Sequence, residues 1–536
     1  MSDQQSTGRE REAVAAGLTT IESPPATVPG ILLRLGPGLI IAGAIVGSGE
    51  LIATTKTGAQ AGFWLLWLIL IGCVIKLFAQ VEFGRYSISS GRTTMTALNR
   101  VPGPRLRVNW VLWCWLFMFV TTLAQLGGIV GGVGQSLAMS LPITGDFNRL
   151  LNEQDAWSND GAEFEAEVRQ SEAAALADAD LDVRRAAEAR VRAAVEERLG
   201  GPRPDRRTRD DVYWAVAVTA ITVVLLVNGR YRMIQNVAMF FVASFTAVTI
   251  FNLFALQSHA AWAVHWSDLK EGLKFRLPPA TETLGRSPLA TALATFGIIG
   301  VGANELITYP YWCLEKGYAR FTGPREESDA WALRARGWMR VMRWDACISM
   351  LVFTFATVAF YLLGAGVLRR KGLDPEGNRM IRDLGEMYSD VFGEWAQWLF
   401  LFGAFAVLYS TFFVANAGHA RVASDAIRVF RVGAASERAR IWWVKALCVG
   451  FPTFSLIVYV FVQAPVGLVL AGGVAQAMIL PILGVATLWF RYRRCDPRIA
   501  PGKPWDLLLW ISVAGLFVAG IGAGLLLLFP RLGQLG

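Results

Sequence analysis

Apolar residues in this 536-residue chain gather into about eleven stretches, each long enough to cross a hydrocarbon layer. They fall near 36–57, 62–84, 109–138, 211–228, 233–256, 289–313, 344–367, 395–416, 442–463, 465–489 and 506–529. Hydrocarbon offers the backbone no water, so stretches of this length must close their hydrogen bonds internally as helices. An all-α integral membrane protein is the expected fold class. Composition supports it: 17% of residues are charged, against about 25% in soluble domains, and mean hydropathy is +0.41.

The spans divide the chain. Residues 1–30 are polar, with Pro24, Pro25 and Pro29 and no apolar signal-peptide core, and are expected to form a disordered cytoplasmic tail. Residues 31–139 hold spans one to three, and 211–536 hold spans four to eleven. Between them, 140–210 is a hydrophilic insertion, rich in Ala, Glu and Arg from Ala162 to Leu199. Leu176, Val183, Ala187 and Val191 give it only a thin apolar stripe, which predicts one or two exposed helices. Such an element is either a solvated decoration or a surface that docks a partner.

The net charge of +9 does not point to nucleic acid, because the arginines sit in short segments between spans. Arg85, Arg92, Arg100, Arg105 and Arg107 follow span two; Arg421, Arg428, Arg431, Arg438 and Arg440 follow span eight. By the positive-inside rule this face is cytoplasmic, with the N-terminus on it and the insertion opposite. Arg369, Arg370 and Lys371 run against the trend. Six cysteines without paired spacing imply neither a disulfide framework nor a thiolate metal site.

Span one contains Val46-Gly47-Ser48-Gly49-Glu50-Leu51-Ile52, and 255 residues later span six contains Val301-Gly302-Ala303-Asn304-Glu305-Leu306-Ile307. A carboxylate at that depth costs about 2.5–3.5 kcal/mol even on insertion scales, so it needs a cavity and a partner. Glycine beside it lets the helix unwind and show carbonyl oxygens. Paired interrupted spans in two halves of a chain mark the central substrate site of a transport fold. Five spans per repeat plus one extra fit a five-plus-five inverted repeat with discontinuous helices 1 and 6. Glu50 and Glu305, with carbonyls near Gly47 and Gly302, would form a hard-oxygen site for a divalent cation, or a pair sharing a proton. The bland alternative is that each glutamate only caps its half-helix.

The flanks carry a resemblance. Gly36-Pro37-Gly38-Leu39-Ile40 opens span one, Thr57-Gly58-Ala59-Gln60-Ala61-Gly62-Phe63-Trp64 follows it, and Gly91-Arg92-Thr93 follows span two. These are similar to the Nramp (natural resistance-associated macrophage protein) divalent-metal transporters. The resemblance implies a LeuT-type fold, alternating access, a divalent metal substrate and possible proton coupling. It also exposes a departure. The family's Asp-Pro-Gly-Asn stands as Gly47-Ser48-Gly49-Glu50, and its Met-Pro-His-Asn as Gly302-Ala303-Asn304-Glu305. The metal-binding Asp becomes Gly47, the Asn becomes Glu50, the Met becomes Gly302 and the His becomes Asn304. Without thioether sulfur, preference should move to harder ions such as Mg2+ or Mn2+.

Other buried polar residues have two readings each. Lys76, within span two, either neutralises Glu50 or Glu305 between cation loads or pairs elsewhere, for instance with Glu82. Glu82 and Arg85 should form an i,i+3 pair. Asp345 and Lys445 are expected to reach the membrane edge. Gln125 and Gln476 either offer amide oxygens to the central site or tie helices together. No enzymatic constellation occurs, and no bound cofactor is expected. Two competing functions stay open. Gly47-Ser48-Gly49 also resembles the first-helix turn of amino-acid transporters of this architecture, and the third reading is a transport-inactive sensor.

Overall fold

Pro37 supplies a preset φ at the start of the first crossing, but the helix it begins stops after nine residues, at Ile45. Val46 leaves helical geometry (ψ 87°), and a second half-helix runs Gly49–Ala61 at 43° to the first. We call these α1 (Pro37–Ile45) and α2 (Gly49–Ala61). The computed structural model describes residues 21–176, 190, 193–229, 231–259, 262–279, 288–392, 395–432 and 436–529. Among these, ten helical segments are long and apolar enough to cross a membrane, one of them (Pro288–Lys316) interrupted midway, and the bent α1–α2 pair makes an eleventh crossing. The protein is a multi-pass membrane protein.

In chain order α3 is Leu66–Ser90, α4 Trp110–Ser140, α5 Asp146–Leu176, α6 Asp210–Asn228 and α7 Tyr231–Leu256. The sixth crossing is α8 (Pro288–Ile298) and α9 (Ala303–Lys316), and α10 is Asp329–Leu363. Then come α11 (Met380–Phe392), α12 (Trp395–Val429), α13 (Glu437–Val462), α14 (Pro465–Trp489) and α15 (Lys503–Leu528). Asn109, Ser328 and Ser436 cap α4, α10 and α13, each side chain accepting a first-turn amide. Gly91, at φ +64°, ends α3 in the left-handed region.

Five crossings precede α8 and six begin with it, α15 being the extra one; because five is odd, the second half enters the membrane from the opposite side. Each half opens on a broken helix. At the centre α14 packs against both α4 and α8, and α15 packs on α14 and α3. Glycines let α4 approach its neighbours: a Cβ on Gly128 would lie 2.4 Å from the Pro465 carbonyl oxygen. All six cysteines are free thiols.

Several expectations need correction. Residues 21–30 are not a loose tail: Glu22 N–H donates to the Phe321 carbonyl, Trp338 Nε1 donates to the Glu22 carbonyl, and a short helix spans Val28–Leu32. Residues 1–20 lie outside those described. Asp345 does not reach for the membrane edge; it is fully buried and accepts from Gly36 N (2.8 Å) and Gly38 N (2.5 Å). A carboxylate there satisfies the free amides at the start of α1. Lys445 is exposed, as expected.

The insertion is helical through α5, and it rests on its own chain. Asp155 pairs with Arg379 and Arg382 on or beside α11, Arg206 pairs with Glu153 (2.6 Å), and Arg207 donates to the Phe461 carbonyl (3.2 Å). Among its described residues the buried apolar side chains include Phe147, Leu150, Leu151 and Val195. Of the expected stripe, Val183, Ala187, Val191 and the Leu176 side chain lie outside what is described.

Candidate functional site

Breaking a helix in mid-membrane frees amides and carbonyls that need partners. At the end of α1, α12 supplies them: Ser410 Oγ donates to the Gly43 carbonyl (3.1 Å) and Thr411 Oγ1 to that of Ala44 (3.2 Å). The approach requires Gly47, where a Cβ would fall 1.6 Å from Thr411 Oγ1. At the end of α8 the partner is Lys76. Its Nζ donates to the Ile299 carbonyl (2.8 Å) and to that of Phe296, and lies 4.6 Å from the Phe296 ring centroid. Gly300 turns the chain at φ +56°.

Lys76 therefore forms no ion pair with Glu50, Glu305 or Glu82 among the described residues. Its partners are carbonyls at the negative end of a half-helix, where a cation is favoured. Glu82 does pair with Arg85 (3.1 Å), as the i,i+3 spacing predicts, and also accepts from Trp505 Nε1 (2.8 Å).

The starts of the second half-helices use the repeated motif itself. The Gly47 carbonyl accepts from Leu51 N (2.8 Å) and that of Gly302 from Leu306 N (2.9 Å), so each opens the hydrogen-bond ladder of its half-helix. They are not the bare carbonyls expected from the sequence, because glycine here occupies the cap position, whose carbonyl is already engaged. Glu50 is fully buried; Oε2 accepts from Gly47 N (3.2 Å) and Oε1 from Thr357 Oγ1 on α10 (3.1 Å). Glu305 bends back alike, its Oε2 within 2.4 Å of where a Gly302 Cβ would be. After Glu50 the chain takes a wider, π-helical turn, closed by Thr54 and Thr55 hydroxyls on the carbonyls of Gly49 and Glu50.

Between the two breaks lies a small cavity of about 30 Å³. Its polar lining comprises Ser48, Thr122, Gln125, Glu305, Thr411, His419 and Gln476. Gln476 Oε1 accepts from Asn304 N (3.3 Å), its Nε2 donates to Gln125 Oε1 (3.1 Å), and Asn304 Nδ2 donates to Thr122 Oγ1 (2.8 Å). Both glutamines thus face the cavity and also tie helices together. Glu305 lines it and is partly accessible; Glu50 does not line it, being turned toward α10. In this conformation the two carboxylates do not share one chamber. Among the described residues no group of three His, Cys, Asp or Glu side chains is placed to hold a metal ion.

Two closures flank the cavity. On the face bearing the insertion, buried Lys56 of α2 pairs with Asp374 (2.5 Å) and Glu376 (2.9 Å) in the segment after α10. On the opposite face Asp345 holds the start of α1, and Tyr318 OH donates to the Arg34 carbonyl (2.8 Å). Lys56, Thr357, Ser410 and Thr411 carry no signal in the sequence, while His419, ending span eight near Asn416, is legible there only as a candidate proton-path residue.

A broken-helix membrane bundle around a small polar chamber is the architecture of an alternating-access transporter fold. Residues 208–526 match the model described as natural resistance-associated macrophage protein-like (Nramp), and the chain belongs to that family. Among curated relatives, the divalent metal cation transporter MntH of Caldanaerobacter subterraneus is 30% identical over 115 residues, 21% of this chain and 26% of that protein. The metal transporter Nramp6.2 of Populus trichocarpa is 34% identical over 79 residues, 15% of this chain. The matched stretches thus span only 14% and 26% of those two relatives. Similarity in structure runs further. The Eremococcus coleocola manganese transporter superposes with a TM-score of 0.60 over 94% of this chain and 88% of that one, at 14% identity. Mhp1, a nucleobase-cation-symport-1 family transporter, gives 0.51 over 96% and 92%, also at 14% identity. The fold is LeuT-type.

Proposed function

We propose that this protein is a secondary active transporter of divalent metal cations, favouring ions such as Mg2+ or Mn2+, working by alternating access in a cell membrane. The observation that carries the reading is the position of Glu305: an acidic side chain, at a helix break, in a polar cavity shared with Gln476. A carboxylate and an amide oxygen are hard donors suited to such ions. Asn304 holds the first turn of α9 against Thr122, and the Gly47 and Gly302 carbonyls, engaged in their helix ladders, have only a second lone pair to offer the cation. Glu50 joins it by turning from Thr357 toward the cavity, and one glutamate releases a proton as the cation enters. Lys76 takes the supporting role of stabilising the α8 terminus.

The arginine-rich face is proposed as cytoplasmic, with the N-terminus on it. The Asp345 latch then closes the cytoplasmic path and the Lys56 latch the outer one. An organic-acid substrate is disfavoured, since the Gly47 amide that would hold its carboxylate is already bonded to Glu50.

Purified protein in liposomes tests this. Saturable Mn2+ or Mg2+ uptake is expected, falling at least about tenfold in Glu305→Gln. Amino-acid uptake with no metal flux would overturn the assignment.

A further inference from the structure

His419 is one of only three histidines in the chain, and the only one lining the cavity. It is 3% exposed, and its Nδ1 is buried without a hydrogen-bond partner among the described residues. The ring's aromatic neighbour is Phe119, edge-on at 5.2 Å between centroids. A buried ring nitrogen left unpaired is desolvated without compensation, a cost that a ligand in the cavity removes.

Its location is set by two helices. Thr411, Ala415 and His419 recur every fourth residue on α12, and all three line the cavity. Beside His419, Gly418 packs on α9: a Cβ there would lie 2.6 Å from Thr308 Cγ2. Thr308 is one turn beyond Glu305, about 5 Å along the helix axis toward the arginine-rich face. The imidazole therefore borders the same space as Glu305, on the side leading to that face.

We propose that His419 is a nitrogen ligand for the transported cation and the residue that sets its metal preference. This rests on the transport reading above and narrows it: imidazole favours transition-metal dications over Mg2+ and Ca2+, which prefer all-oxygen shells. Lost thioether sulfur is thus offset from another helix, giving a mixed oxygen and nitrogen site that selects Mn2+ and its transition-metal neighbours over Mg2+.

Two measurements test it. In liposomes the Mn2+-over-Mg2+ preference of the full-length protein should fall at least about tenfold in His419→Asn and His419→Ala. In parallel, electron spin-echo modulation is recorded on protein loaded with Mn2+ alone, in a His259→Asn/His265→Asn background carrying 15N-labelled histidine. A nitrogen coupling from the labelled imidazole is expected. If metal is transported and Glu305→Gln abolishes the flux, but the preference is unchanged in both His419 variants, the inference fails and the transport reading stands. If no metal moves in the unaltered protein, both fail. Should the variants not fold, the spin-echo result decides alone: a histidine coupling supports the ligand, and its absence overturns it.

Discussion

At Gly47 a single methyl group would collide with Thr411, so the first break depends on having no side chain there. Gly47→Ala should cost about 1–3 kcal/mol through overpacking and abolish uptake, read from thermal melting in detergent and from liposome flux. Lys76 makes a different prediction. Lys76→Met keeps the bulk but orphans the Phe296 and Ile299 carbonyls, at about 1–3 kcal/mol each. A lowered melting temperature that metal does not alter is expected; unchanged stability with lost metal response would restore a counter-ion role. The repeated glutamates were legible as residues because duplication singles them out. Their orientations were not, since Thr357 lies 307 positions from Glu50 and nothing nearby in the chain announces it.

Whole helices were easier to read, because a membrane crossing is a local property of composition and length. Each expected stretch has a crossing, but α10 and α12 run further than their apolar parts, α10 starting at Asp329 and α12 reaching Val429. The added turns carry arginines, which an apolarity ruler stops short of. The segment between α14 and α15 shows what holds such ends together. Asp496 binds Arg498 (2.9 Å) and Arg325 (3.0 Å), and these contacts, led by the Arg498 side chain, hold its carboxyl at about 2, below its ordinary 3.8. A depressed folded value means the stabilisation is complete above about pH 4 and is lost as pH falls toward 2. Melting between pH 6 and pH 3 should lose less stability in Asp496→Asn than in the unaltered protein; equal losses would discount this contact.

At the scale of the whole molecule, transport by this fold needs one closure to open while the other holds. Asp345 and Lys56 join elements far apart in sequence, so each is a tertiary contact that rocking must break. Asp345→Ala removes the cap on α1, and cysteine labelling of α1 from the arginine-rich face should speed up several-fold. Unchanged labelling would show that the start of α1 is held by Tyr318 and the 21–30 segment instead. The insertion belongs to this scale too. Arg379→Ala together with Arg382→Ala should raise hydrogen exchange in α5 while leaving the crossings protected.

Apolar length, glycine-broken repeats and the placing of arginines sufficed for the membrane class, the crossings, the two breaks and the pair of acids, because each rests on chemistry within about 20 residues. Which acid faces the cavity, what Lys76 binds, where His419 lies and how the insertion rests were decided only when helices from both halves packed. Those contacts join positions hundreds of residues apart, and a side chain's partner there depends on the rotation of two helices about their axes, which neither helix encodes alone.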